Sequence, residues 1–320
     1  MFNWEKMGLF FSPQDHNTPD WMKEFAQAPS VLLFDDFIRI YFSTRPNPDF
    51  NGQYISYSGF IDVDKNDLKR IIRISQKPIL KLGELGCFDE FGTYPVSVIR
   101  HNDEIRAYYA GWTRCESVPF NVAIGLGISK NNGESFDKLG NGPIISYSLE
   151  EPFVISGPKI RFFNNMYYLF YISGTEWILD NNKPEPIYKI RLAISNDGVN
   201  FKKVNKNLVS DKIDFYEAQA SPDVFYKNGF YHMFFCYRGG RNYRNKENGY
   251  RIGYAKSIDL LNWERNDEIA GISVSKSGWD SEMISYPHLF EIENDVYMFY
   301  LGNGVGKKGF GLAKLISIEV

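Results

Sequence analysis

The sequence has little cysteine, little histidine and no long apolar run, and each scarcity excludes a class of protein. Its three cysteines, Cys87, Cys115 and Cys236, are odd in number and lack CxxC spacing. That excludes a disulfide framework and gives no sign of a zinc site. No stretch approaches the ~18 apolar residues of a membrane span, and the opening MFNWEKMGLFFS carries an early acidic residue and no apolar h-region. Membrane insertion is therefore not expected, and a cytoplasmic location is. Basic residues are not in excess: 36 Lys and Arg against 39 Asp and Glu leave a net charge of −3. No basic stripe is available to neutralise phosphates, so nucleic acid is not an expected partner. The four histidines and the carboxylates show no metal-ligand spacing, and neither metal nor cofactor is expected.

Aromatic residues, by contrast, are abundant, with 26 Phe, 21 Tyr and 6 Trp in 320 residues, a composition suited to sheets packed face to face. They recur in a fixed pattern of a proline opening a β-run, a polar turn and an aromatic-rich second run. The five copies cover residues 26–45, 92–112, 155–174, 219–238 and 284–303, anchored by Pro29, Pro95, Pro158, Pro222 and Pro287. A constant period of β-type units marks a radial repeat in which each unit buries its faces against its neighbours. The expectation is all-β: one domain, 1–320, forming a five-bladed β-propeller of four-stranded antiparallel blades. The blades fall near 25–80, 88–150, 152–213, 217–280 and 282–320, the last completed by 2–12, because Asn3-Trp4-Glu5-Lys6 resembles the outer-strand start Asn262-Trp263-Glu264-Arg265.

Hairpin turns are expected at Asp35-Asp36, Asn102-Asp103, Asn164-Asn165, Asn228-Gly229 and Asn294-Asp295, residues that tolerate the positive φ of tight turns. Third strands follow at 123–129, 190–195, 251–257 and 309–314. The turns after three of them, SKNNGESF, SNDGVNF and SIDLLNW, resemble the Asp-box of sialidases, which is a structural device.

Propeller geometry places the residues just before each proline, and those just after each second strand, on one face around the channel mouth. That face is the default ligand site. A glutamate stands five residues before the proline in four copies: Glu24, Glu90, Glu217 and Glu282. These are the candidate catalytic residues. The third copy has Glu151 two residues earlier than that offset, and Asp89 and Asp280 flank two others. The second set supplies Arg45, Trp112, Arg114, Glu176, Trp177, Arg238 and Arg241 as candidate binding residues, with Tyr94 and Tyr286 beside the prolines and His288 on a channel strand. Aromatic faces stack on sugar rings, carboxylates and guanidinium groups bind hydroxyls, and clustered arginines point to an anionic group on the ligand. For any one of these, a loop cap or a salt bridge is the competing reading. His101 is expected to be solvated, His232 to lie in the core, and His16 in a loop that could fold over the mouth.

The five units and the Asp-box-like turns together resemble the five-bladed propeller glycoside hydrolases, families 43 and 32 and their relatives, over the whole chain. ISGPKIRFFNNMYYLFYIS is similar to the family-43 segment that carries the general acid, and the matching residue here is Ser156. The family's general base matches Ala28. SPDVF resembles part of a family-32 motif, with Ala220 before Ser221. The tail YMFYLGNGVGKKGFGLA is similar to propellers associated with polysaccharide assembly and to the N-terminal propeller of plant glucosamine inositolphosphorylceramide transferases. The resemblance implies a carbohydrate-active protein, with the usual acid–base pair missing from its usual places. Three functions fit. One is an enzyme acting on a glycosidic or activated-sugar bond of an anionic sugar, in the setting of polysaccharide biosynthesis. The others are a non-catalytic glycan- or nucleotide-sugar-binding propeller and a glycoside phosphorylase.

Overall fold

Every blade repeats one sequence logic: a first strand with proline near its start, a second strand buried on both faces, a third rich in small residues and a short outer strand. A computed structural model describes residues 1–318; residues 319–320 of the expected fifth blade lie outside the described residues. Blade one contains β2 (Glu24–Leu33), β3 (Phe37–Arg45), β4 (Tyr57–Asp64) and β5 (Ile71–Ile74). Blade two contains β6 (Gly92–His101), β7 (Glu104–Arg114), β8 (Phe120–Ser129) and β9 (Asp137–Lys138). In blade three the strands are β10 (Phe153–Phe163), β11 (Met166–Asp180), β12 (Lys183–Ser195) and β13 (Lys202–Lys203), and in blade four β14 (Ala218–Lys227), β15 (Phe230–Arg238), β16 (Arg251–Ser257) and β17 (Glu264–Arg265). Blade five joins β18 (Ser285–Ile292), β19 (Asp295–Leu301) and β20 (Phe310–Ile318) to β1 (Phe2–Phe11), which pairs antiparallel with β20 and closes the ring. The protein is thus a five-bladed β-propeller. In the last hairpin the turn sits at Glu293-Asn294, one residue earlier than expected, with Glu293 in the left-handed region and Asp295 already in β19.

The core is a ring of separate clusters between adjacent blades. Leu32, Tyr41 and Phe60 meet Val98 and Tyr109 between blades one and two, and Phe11, Ile40 and Phe42 meet Phe299 and Leu301 between blades five and one. This is why the second strands are buried on both faces and read as nearly continuous apolar runs.

The repeated prolines mark a repeated bulge. In all five blades the pairing of first and second strands slips beside the proline, between Gln27/Ser30, Thr93/Val96, Ser156/Lys159, Ala220/Asp223 and Ser285/His288. The preceding residue is left-handed in four blades, at Ala28 (φ 50°), Gly157 (61°), Ser221 (50°) and Tyr286 (53°), while blade two has a cis Tyr94–Pro95 bond. Bulges re-aim side chains at functional rims, and here they stand at the channel mouth.

Just past each bulge the inner strands are laced together. Val98 N–H donates to Ser30 Oγ (3.0 Å), Ile160 N–H to Ser97 Oγ (3.1 Å), Leu289 N–H to Asp223 (2.7 Å) and Val31 N–H to His288 Nε2 (2.9 Å). Between blades three and four, Arg161 Nε donates to the Val224 carbonyl (3.1 Å).

Candidate functional site

A pocket of about 1020 Å³ opens at the channel mouth, and all five blades contribute to it. Gln27 and Arg45 come from blade one, Tyr94, Trp112 and Arg114 from blade two, and Ser156 and Tyr188 from blade three. Arg238 and Tyr250 come from blade four and Tyr286 from blade five. Six of the expected binding residues are therefore gathered here: Arg45, Arg114, Arg238, Trp112, Tyr94 and Tyr286.

The pocket is rich in cations. Arg45, Arg114 and Arg238 line it, and among the described residues none has a carboxylate within ion-pair distance, unlike Arg39 with Asp62 (2.7 Å) and Arg265 with Glu217 (2.6 Å). Arg45 lies over the ring of Phe25 (4.4 Å) and near Tyr54 (5.2 Å), and its Nε is buried with no hydrogen-bond partner. Burial pushes this guanidinium below its ordinary pKa. Arg114 stacks over Phe91 (4.2 Å) and donates to the Tyr54 carbonyl (3.2 Å). Arg238, 1% exposed, sits 3.7 Å from the Tyr243 ring and donates through Nε to the hydroxyls of Tyr188 (3.3 Å) and Tyr250 (3.2 Å). Burial alone would lower its pKa, but the surrounding phenol oxygens hold it above the ordinary value. Burial likewise keeps the Tyr94, Tyr250 and Tyr286 phenols protonated by raising their pKa values.

Two carboxylates line the pocket, exposed Glu116 and buried Glu185, neither of them an expected residue. Glu185 accepts from the Tyr243 hydroxyl (2.9 Å) and pairs with Arg244 (2.5 Å). It is carried by the β11–β12 hairpin, which extends past the sheet as an arm and is tied at its tip to the blade-four loop by Asn242 N–H donating to Asp180 (2.8 Å).

The four expected catalytic glutamates are not brought together. Glu24 is the one in touch with the pocket wall, accepting from the hydroxyl of Tyr54 at 2.7 Å. Glu90 accepts from Gly86 N–H (3.0 Å) in its own loop and does not line the pocket. Glu282 is exposed, its backbone N–H donating to Asn303 (2.8 Å). Glu217 is fully buried inside blade four, paired with Arg265 (2.6 Å) and accepting from the N–H groups of Lys212 and Ile213.

Glu217 belongs to a different repeat, a buried acid ahead of the first strand that clasps the outer strand. Asp89 meets Tyr109 (3.0 Å) and Lys138, Glu151 meets Tyr171 (2.8 Å) and Lys203 (2.6 Å), and Asp280 meets Tyr300 (3.1 Å) and Lys6 (2.7 Å). In blade four the cation is Arg265 and Phe235 replaces the tyrosine. A buried carboxylate needs such partners, and their placement explains why an acid precedes each of these strands.

The four other expected binding residues, Arg241, Trp177, Glu176 and His288, lie off the pocket. Arg241 is exposed, with its guanidinium 5.8 Å from the Tyr216 ring. Trp177 packs edge-on against Phe120 (5.5 Å) at the base of the arm, next to Glu176 at a bulge. His288 lies deeper in the channel, 2% exposed, with Nδ1 3.0 Å from both Asp223 and Lys159 Nζ. Burial lowers its pKa to about 3, and with Nε2 accepting from Val31 it is a neutral strut. Burial also lowers Lys159 to about 8. His101, expected to be solvated, packs on the ring of Phe162 at 4.3 Å. His232 is buried as expected, 2.7 Å from the Tyr254 hydroxyl, and His16 stacks on Phe11 at 5.1 Å.

The pocket residues missed in the sequence include Tyr188 and Tyr250. A signal for Tyr250 existed, because an aromatic stands at or next to the start of four of the five third strands, at Tyr57, Phe120, Tyr250 and Phe310. Tyr188 was hidden because β12 begins seven residues before the expected start at 190, at Lys183 in the arm. Among the described residues no cluster of three or more His, Cys, Asp or Glu side chains is arranged to hold a metal ion, and no helix is long and apolar enough to cross a membrane.

No protein-family model matches the chain. It is 34% identical over 313 residues to the uncharacterized protein Rv1502 of Mycobacterium tuberculosis (strain ATCC 25618 / H37Rv), covering 98% of this chain and 99% of that protein. It is 31% identical over 137 residues to a β-1,2-mannobiose phosphorylase of Thermoanaerobacter sp. (strain X514), 40% of this chain and 44% of that one. Among solved structures it resembles a glycoside hydrolase (TM-score 0.75, 16% identity, 98% of this chain and 92% of that chain). A thermostable family-43 glycoside hydrolase (0.70, 14%, 92% and 91%) has the same fold. So does a structure from work on the GH130 family of mannoside phosphorylases (0.65, 14%, 98% and 90%).

Proposed function

Because this chain belongs to one family with the mycobacterial protein Rv1502 and has the fold of glycoside hydrolase propellers, we propose that it is a carbohydrate-active enzyme. Its substrate is an anionic sugar held at the channel mouth, and it acts on a glycosidic or activated-sugar bond. The observation that carries this reading is the set of three pocket arginines, Arg45, Arg114 and Arg238, whose charge no carboxylate among the described residues answers. In a chain of net charge −3, a cationic cavity walled with tyrosines suits a sugar bearing phosphate or carboxylate. A sugar phosphate, a uronic acid and a nucleotide sugar all meet that requirement, and the last would place the protein in polysaccharide biosynthesis inside the cell.

Ordinary hydrolysis needs two carboxyl groups about 5–5.5 Å or 6.5–9.5 Å apart. Here Ser156 and Ala28 occupy the places where the resembled family has them, and Glu185 is engaged by Arg244. A reaction whose nucleophile is itself an anion needs one proton for the leaving-group oxygen; the Tyr54 hydroxyl would give it, and Glu24 in its carboxylic-acid form, the hydrogen bond between them reversed, would return a proton to the phenol oxygen. The partial likeness to a β-1,2-mannobiose phosphorylase supports the phosphate-dependent form of this chemistry.

The test is turnover of glycosides with and without inorganic phosphate, and of nucleotide sugars, with product analysis. Phosphate-dependent or activated-sugar turnover is expected, and Glu24→Gln should slow it about 100-fold while the ligand still binds. A second reading, a propeller that binds a glycan or nucleotide sugar without chemistry, is favoured by Ser156 and Ala28. Tight binding with no product over long incubation would establish it and end the enzyme reading.

A further inference from the structure

The unanswered cations form two separate centres within the one pocket. At the first, Arg45 has a single contact from Nη2, to Gln27 at 3.4 Å, and its buried Nε has no partner. Arg114 shares this centre through Tyr54. At the second, Arg238 is enclosed by the rings of Tyr243 (3.7 Å), Tyr188 (5.1 Å) and Tyr250 (5.7 Å). Its Nη1 donates to the Gly239 carbonyl (2.9 Å) and its Nη2 to the Pro186 carbonyl (3.0 Å). A guanidinium has five N–H donors, so two of them find no acceptor among the described residues. Tyr188 and Tyr250 hydrogen-bond to each other, which occupies one of their two phenol protons and leaves the other over.

The aromatic collars of the two centres share no ring. Between them stand Tyr94, whose ring is 5.9 Å from Arg45, and Tyr286, whose ring is 6.3 Å from Tyr250. Both centres have donors to spare and few acceptors, and acceptors in excess are what an ionised oxyanion brings.

Building on the anionic-sugar reading, we infer that the ligand carries two ionised groups, one for each centre, as a sugar linked through a diphosphate does. Because the two collars share no ring, one phosphoryl group is expected to engage one of them, whereas two joined groups would reach both past Tyr94 and Tyr286. The cavity of about 1020 Å³ leaves room for the sugar beside them.

Calorimetry on the full chain at fixed salt tests this with orthophosphate, pyrophosphate, glucose 1-phosphate and UDP-glucose as probes. Pyrophosphate and UDP-glucose should bind at least tenfold more tightly than the two monophosphates. Arg45→Met and Arg238→Met should each weaken the diphosphate probes tenfold or more, and only one of them should affect glucose 1-phosphate. If Arg238→Met does not fold, Tyr188→Phe and Tyr250→Phe, which remove one oxygen each, probe the same centre. Monophosphates binding as well as diphosphates, or diphosphate binding that ignores either centre, would overturn the two-centre inference and leave the anionic-sugar reading standing. Failure of every phosphorylated sugar and of uronic acids to bind would remove that reading as well.

Discussion

A carboxylate with no exposed surface must have its charge answered inside the protein. Glu217 meets this need with Arg265 at 2.6 Å, the Gln219 amide at 2.9 Å and two backbone N–H groups. Glu217→Gln removes the charge and leaves Arg265 facing Asp267 alone, so it should cost about 3 kcal/mol of stability without changing the affinity of the folded protein for its ligand. Urea denaturation and calorimetry on the same variant measure both. Lost binding in a fully folded variant would return Glu217 to the site. Arg45 is the converse case: its buried charge has no ionic partner, so Arg45→Met should leave the melting temperature unchanged or higher while anion binding is lost. At this scale three of the four candidate arginines, Arg45, Arg114 and Arg238, line the pocket because they end second strands at the mouth, while Arg241 lies off it. Of the four candidate glutamates the sequence pattern brought only Glu24 to the pocket wall, because an acid five residues before a proline reads the same whether it faces a cavity, a loop N–H or a buried arginine.

The first strands of the blades act as one element, laced by side chains into neighbouring backbones. Blades four, five and one are joined through Asp223 and His288, with Lys159 and Arg161 from blade three packed against them. His288 is held near 3 by burial and returns to its ordinary 6.5 on unfolding. Between those values the unfolded chain binds the extra proton, so stability rises with pH across this window and is lost as pH falls from about 6.5 toward 3. Asp223 is held below the ordinary carboxylate value despite burial, by Arg161, His288 and Lys159, and its contribution is lost in the same direction below about pH 4. The urea midpoint should therefore drop between pH 7 and pH 4, and His288→Gln should flatten that drop above pH 4. A wild-type midpoint that does not move would contradict the assignment of His288 as a neutral strut. The prolines that anchor these strands were readable as a repeat. The bulge beside each one was not, because a left-handed alanine, serine or tyrosine is imposed by the packing of the ring and leaves no mark of its own in the sequence.

At the scale of the whole molecule, β1 brings Phe2, Trp4 and Phe11 into clusters that blades four, five and one share. Deleting residues 1–12 would forfeit about 2 kcal/mol for each of these side chains and expose the edge of β20. The expected result is a protease-sensitive fifth blade and loss of cooperative unfolding, measured by limited proteolysis and circular dichroism. A truncated chain that melts as the intact one does would show that closure is not what holds the ring. The sequence by itself determined this architecture. A period of about 64 residues and an outer-strand motif displaced to the N-terminus are one-dimensional facts, and a ring is the arrangement that lets every unit bury both faces. The tertiary structure alone decided which polar groups meet. The acids ahead of four first strands lie off the cavity, clasped by Lys6, Lys138, Lys203 or Arg265, because burying a carboxylate is tolerable only against a fixed positive charge. Arg45, Arg114 and Arg238 at the mouth have no such partner among the described residues, so their charge is left to face the cavity.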